Sequence, residues 1–268
     1  KDRFLVNYDF TTSNNNALID ASGFGFETSD KSKNKLNRND VALNYQKRFD
    51  DVTKKLDFRF NMNSVVNNFD LTNRISGNSV LDNGYNQLFY QFKTDYSQEF
   101  SFLEKTKFST GVLADKLEFE AQNEGNTNLD YQRTTFAAYT EFQSTYKKFD
   151  FVVGGRLESY SIDGTTDTDN LIPFKQTRFF PNASIQYNII PQVFFNANYN
   201  KKISLPNTAS LNPNNTNYQN PNVTFFGDPN LEPTIFDNYE VKISAFEYFY
   251  VSYSRSDANN QVMNRIIT

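Results

Sequence analysis

Cysteine and histidine are both absent from the 268 residues. Without cysteine there is no disulfide framework and no thiol chemistry. Without histidine, Ser-His-Asp triads, Cys-His pairs, imidazole bases and most zinc or iron centres are excluded together. Catalysis would have to rest on carboxylates, lysine, tyrosine or serine, and no catalytic constellation or cofactor site emerges from them. The chain also lacks any window approaching the roughly 20 apolar residues of a membrane helix, and its mean hydropathy is -0.67. That absence leaves a membrane open. A transmembrane barrel strand needs only about 10 residues with every second one apolar, so its average hydropathy looks soluble. The net charge of -4, with no basic stripe and interleaved aromatics, argues against a nucleic-acid partner. No signal peptide opens the chain, since Lys1-Asp2-Arg3 runs straight into a strand pattern; either the signal has been removed or this is an internal fragment.

What is present is aromatic and alternating. There are 28 Phe and 16 Tyr, with Asn and Thr frequent and no helical run rich in Ala, Leu or Glu. The clearest stretch is RFFPNASIQYNIIPQVFFNANYNKKIS, residues 178–204. In its first arm Ala183, Ile185, Tyr187 and Ile189 share one parity and Asn182, Ser184, Gln186 and Asn188 the other. In its second arm Val193, Phe195, Ala197 and Tyr199 are set against Asn196, Asn198 and Asn200. Side chains of a strand alternate between faces, so each arm has one oily and one wet face. Pro191 cannot donate to a ladder, so the chain reverses there.

The same pattern spaces out about twelve strands. The first carries Phe4, Val6, Tyr8 and Phe10 and is expected to end at Ser13-Asn14-Asn15; a second runs from about Ala17 to Thr28. A polar loop is expected over 30–39, followed by strands around Val41, Phe58, Leu88, Phe108, Phe136, Phe149, Ile185, Phe195, Tyr239 and Val251. Read this way, the connections alternate short and long without exception. That is the plan of an outer-membrane barrel, with tight turns on the periplasmic side and long loops outside. A soluble Greek-key sandwich would mix its connection lengths. The expected fold is all-β: an antiparallel up-and-down transmembrane β-barrel.

From about Phe149 onward the chain also resembles the C-terminal barrel of TonB-dependent outer-membrane receptors, in the branch common among Bacteroidota-type bacteria. VVGGRLE at 152–158 looks like that family's "GLRYE" strand, and NANYNKKISLPNTASLNP at 196–213 like its "lsYsrrisRPs...LnP" segment. GDPNLEPTIFDNYEVKISAF at 227–246 resembles "GNPdLkPe...nyElg", through Gly227, Asp228, Pro229, Leu231, Glu232 and Pro233 and then Tyr239 and Glu240. Leu205 stands where the family typically has arginine. The glycine and prolines are read as a rigid turn where a long outer loop re-enters the wall. The resemblance implies import across the bacterial outer membrane, energised by an inner-membrane coupling protein acting on a plug domain. Residues 1–268 contain no recognisable plug, and family barrels have more than twelve strands. The chain is therefore expected to be part of a larger barrel, its edge strands pairing with missing strands or another protein.

Candidate sites follow from the wet parity. Gln186, Asn188, Asn196, Asn198 and Asn200 form an amide row able to face the lumen or a ligand. Asp163, Asp167 and Asp169 are a weak calcium candidate, lacking EF-hand spacing and the closing Glu. Arg156 and Glu158 are expected to act as ladder partners for neighbouring strands. Expected partners are outer-membrane lipid and lipopolysaccharide. The functional reading is a non-enzymatic receptor for a siderophore, glycan or peptide. Its rivals are an outer-membrane scaffold without transport and a secreted soluble adhesin or glycan-binding domain.

Overall fold

The structure, a computed structural model, describes residues 2–23, 25–74, 79–123, 128–214 and 226–263. Its strands are β1 (Arg3–Gly23), β2 (Phe26–Arg48), β3 (Lys54–Asn73), β4 (Ser79–Phe100), β5 (Glu104–Asn123) and β6 (Leu129–Tyr146), then β7 (Phe149–Thr166), β8 (Phe174–Ile190), β9 (Val193–Ser204), β10 (Thr234–Ala245) and β11 (Phe249–Asn259). Among the described residues a single short helix, α1 (Thr208–Leu211), lies in the β9–β10 connection. The strands form one sheet in sequence order, each antiparallel to the next. Among the described residues β1 pairs only with β2 and β11 only with β10, so the sheet is open.

Parity decides which face meets lipid. Register sets Leu56, Phe58, Phe60 and Met62 of β3 against Tyr96, Thr94, Phe92 and Tyr90 of β4. It continues through Val112, Ala138, Leu157 and Phe179, and through Ile185, Ala197 and Val241. Phe92, Phe136, Val153, Phe179 and Ile243 on this face are all exposed. An exposed apolar band this continuous is a lipid-facing wall. Aromatic pairs mark its two margins. Tyr199 and Tyr239 have ring centroids 5.0 Å apart at the outer one, and Phe149 and Tyr187 lie 4.7 Å apart at the periplasmic one.

Eleven strands replace the expected twelve among the described residues, and the difference lies at the start of the chain. Ser13, Asn14 and Asn15 do not turn; they continue β1, paired with Leu36, Lys35 and Asn34. The expected loop at 30–39 is the middle of β2, paired on both sides. Strands β1 to β8 run from 17 to 23 residues, about twice what a bilayer requires. The surplus projects beyond the membrane, where no apolar parity is needed and polar side chains bond across strands instead. Thr12 Oγ1 donates to Asn37 Oδ1 at 2.9 Å, and Asn67 Nδ2 to Asn34 Oδ1 at 2.7 Å. Strict loop alternation also fails here. The outer connection at 24–25 is shorter than the periplasmic one at 49–53; from β3 onward each outer connection is longer than the periplasmic one that follows it.

The described parts of the long connection, residues 205–214 and 226–233, turn inward over the sheet. Pairing of β8 with β9 stops at Asn182 and Asn200, whereas β9 and β10 continue to Ser204 and Thr234. The freed ends turn across the wet face, where Ile235 packs with Tyr160 and Phe180. Beyond them Leu211 of α1, fully buried, joins Leu117, Phe119, Leu129, Tyr131 and Ile162, with Leu231 against the same cluster. Asn207 caps α1, accepting from Ser210 N at 2.8 Å. Polar contacts pin the rest: Thr208 Oγ1 donates to Gln87 Oε1 at 3.1 Å and Asn123 Nδ2 to Asn214 Oδ1 at 3.3 Å. The loop is then clasped shut, with Gly227 N on Asn212 O at 2.7 Å and Asp228 N on Ser210 O at 2.9 Å. A Cβ on Gly227 would lie 2.2 Å from Ser210 O and 2.8 Å from Asn212 O. Only glycine fits.

Two outcomes test this description. Val153→Arg, on the lipid face, should destabilise the barrel by about 2–4 kcal/mol, measured by urea unfolding in lipid. Val152→Arg, one residue away on the wet face, should cost much less; equal losses would mean the faces are misassigned. Gly227→Val should open the clasp at a cost of about 1–3 kcal/mol. Protease added to intact cells should then cut within 205–233 faster than in the parent, while the barrel itself stays resistant. Unchanged cleavage would remove the clasp from the account.

Candidate functional site

The wet face divides into three tiers, each set by which residues the register places side by side. Outermost is the apolar cluster that carries the inward loop. Beneath it lies a ladder of charges. Tyr139 of β6 stands opposite Gly111 of β5 and Arg156 of β7, and its hydroxyl donates to Asp95. Asp95 also holds Arg59 Nη2 and Lys93 Nζ, each at 3.3 Å. The ring of Tyr139 has Lys93 Nζ 5.3 Å from its centroid and Arg156 Cζ at 6.0 Å, which adds cation–π attraction. Arg133 Nη2 lies 3.9 Å from Asp115, both side chains being 11% exposed. Arg156 and Glu158, expected as ladder partners for neighbouring strands, bond each other within β7 at 2.6 Å, while Arg156 also lies over the Tyr139 ring of β6. Removing one member of the buried Arg133–Asp115 pair leaves an uncompensated charge, at a cost of about 3–5 kcal/mol.

The lowest tier holds the amide row. Gln186 faces Asn196 in register, Ser184 faces Asn198, and Asn182 faces Asn200. Gln186, Asn196 and Asn198 line a shallow cavity of about 490 Å³ with Phe194, Glu240, Lys242 and Ser244. Gln186 Nε2 donates to Asn188 Oδ1 at 2.9 Å, and Ser184 Oγ to Asn198 Oδ1 at 2.6 Å. Asn200 lies apart from the cavity, accepting from Asn238 Nδ2 at 3.0 Å. Of the family-motif residues, Gly227 and Asp228 make the clasp, Leu231 packs on the apolar cluster, and Pro233 is buried beside β10. Pro229 is half-buried in the turn after the clasp, and Glu232 accepts from Asn260 Nδ2 at 2.6 Å. Tyr239 belongs to the lipid face and Glu240 to the cavity.

The three aspartates do not converge. Asp163 lies within β7, Asp167 accepts from Asn128 N at 2.8 Å, and the carbonyl of Asp169 accepts from Thr166 N at 2.7 Å. No group of three acidic ligands occurs among the described residues. Sequence reasoning missed Asp95, Asp115, Arg133 and Tyr139. Each sits on the wet parity of its strand, which was a signal open to reading. The tiers supply rows of donors and acceptors along a wall, an arrangement suited to holding a ligand or a packed protein segment.

Known proteins share this wall. The alcaligin outer-membrane receptor FauA of Bordetella pertussis superposes with a TM-score of 0.63 at 13% identity, over 97% of this chain and 42% of that one. The copper transporter OprC gives 0.63 at 11% identity, over 95% and 51%. The ferric citrate transporter FecA gives 0.59 at 11%, over 96% and 44%. At such identities the likeness concerns the fold, and the chain spans about half the length of these proteins or less. No curated protein matches the sequence. A family profile does: residues 86–268 match the outer membrane protein beta-barrel family. The chain, a set of outer-membrane barrel strands, belongs to that family.

Proposed function

We propose that the chain is part of the barrel of a TonB-dependent receptor that imports a ligand across the outer membrane, with no catalytic role. The observation that carries this reading is the inward fold of residues 205–214 and 226–233 over a charged and amide-lined wall. A scaffold in the membrane has no need of an ionic lumen under an internal cover, whereas a receptor must both admit and hold a polar solute. A siderophore, a glycan or a peptide would each find hydrogen-bonding partners on this wall. The structures of an alcaligin receptor, a copper transporter and a ferric citrate transporter support the receptor class without naming the cargo. Energy would come from an inner-membrane coupling protein acting through a plug carried elsewhere in the full protein.

The same reading has β1 and β11 joined by further strands, since unpaired peptide groups in hydrocarbon cost several kcal/mol each. Residues 1–268 expressed alone should not yield the heat-modifiable gel species that the full-length protein gives from outer membranes. A compact, heat-modifiable species from 1–268 alone would refute the larger barrel. For transport, the full-length protein should bind the periplasmic domain of the energy-coupling protein in a detergent pull-down. Failure to bind would favour the scaffold.

A further inference from the structure

The periplasmic rim below β4–β8 carries an aromatic and basic corner that neither the lumen nor the loop accounts for. The β4–β5 turn folds back against the lipid face. Phe102, 64% exposed, lies 5.8 Å from Phe100 and 6.5 Å from Phe142, which is 6.0 Å from Phe151. The next turn puts Tyr146 and Phe149, both exposed, at the same margin.

Two cations flank this surface. Lys147 occupies a left-handed backbone position, φ 56°, with its Nζ 5.2 Å from the centre of the Tyr146 ring. Lys105, φ 49°, sits in the irregular stretch between Glu104 and Lys107, where Glu104 pairs with Thr145. Both lysines are exposed, and among the described residues neither is within ion-pair distance of a carboxylate. The nearby acids belong to the wet parity: Glu104 and Asp150 both stand in register with Thr145, which bonds Asp150 at 2.5 Å. Lys148 is engaged, donating to Ile189 O at 2.9 Å. Acids therefore line the lumen side of this margin, whereas Lys147 lies over the lipid-face ring of Tyr146.

An apolar ledge continuous with the lipid-facing wall, edged by uncompensated cations, matches one chemistry. Aromatic side chains settle at the headgroup boundary, and each basic residue near a membrane surface attracts anionic lipid. We propose that this corner docks an anionic glycerophospholipid of the inner leaflet, its acyl chain on Phe102, Phe142 and Phe149 and its phosphate on Lys105 and Lys147. The inference rests on the barrel and its orientation, and not on the transport reading.

Native mass spectrometry of the full-length protein, released from detergent with added dioleoylphosphatidylglycerol or dioleoylphosphatidylcholine, tests it. The parent should retain phosphatidylglycerol several-fold better. The double variant Lys105→Ala/Lys147→Ala should lose roughly tenfold to thirtyfold of that affinity and fall to the phosphatidylcholine level. Phe102→Ala should weaken both lipids alike, and Lys116→Ala, on the extension beyond the membrane, neither. Heat-modifiable migration of each variant confirms that the barrel is intact. Equal retention of the two lipids by the parent, a measurement that needs no variant, would overturn the proposal. So would a double variant that keeps the preference.

Discussion

Everything in this molecule depends on the peptide hydrogen bond having no water to replace it inside hydrocarbon. A strand that crosses lipid must find each backbone partner on a neighbouring strand, and the ladder runs from β1 to β11 accordingly. Its three irregularities obey the same rule. They fall at Leu71/Thr72, Glu104/Lys107 and Asn188/Ile190, all at strand ends where solvent can satisfy what the ladder does not. The interior of the band is regular because it has no alternative.

Once the backbone is settled, side chains are free to divide by face, and two glycines show how closely the division is packed. A Cβ at Gly155 would lie 2.5 Å from the Phe179 ring on the lipid side. At Gly111 it would lie 2.5 Å from the Tyr139 hydroxyl on the wet side. In both cases the missing side chain lets a cross-strand ring lie over the backbone, filling the gap between strands without widening them. Tyr139 is then positioned to reach Asp95 across β5, so the ionic tier depends on a glycine that stands in register with the carboxylate on the neighbouring strand.

This explains what the sequence made legible. Ala183, Ile185, Tyr187 and their opposites were readable because the bilayer demands apolar residues at every second position, and a demand that periodic leaves a trace. Asn34 or Ser13 left none, since beyond the headgroups the ladder persists while the demand lapses; a polar strand there reads as a loop. The amide row at Gln186, Asn196 and Asn198 was legible by parity, but its neighbours Glu240 and Lys242 come from β10, across a connection whose path no local pattern encodes. Gly227 was recognised as part of a motif. Its physical reason, a carbonyl of Ser210 where a Cβ would be, exists only after the loop has folded.

Strand direction constrains how such a sheet can close. Both β1 and β11 run from the periplasmic margin toward the outside, because an odd number of antiparallel steps cannot separate the first strand from the eleventh. Antiparallel neighbours must run oppositely, so β1 cannot pair with β11. Nor do two copies related by an axis along the barrel solve it, since each seam would set β1 beside β11 in parallel. An up-and-down closure therefore takes an odd number of strands between these edges, giving the even total that bacterial single-chain barrels have. Phe4, Val6 and Tyr8 of β1 and Phe249, Val251 and Tyr253 of β11 are all more than half exposed and on the lipid parity. The apolar parity of the band is thus kept through both edge strands.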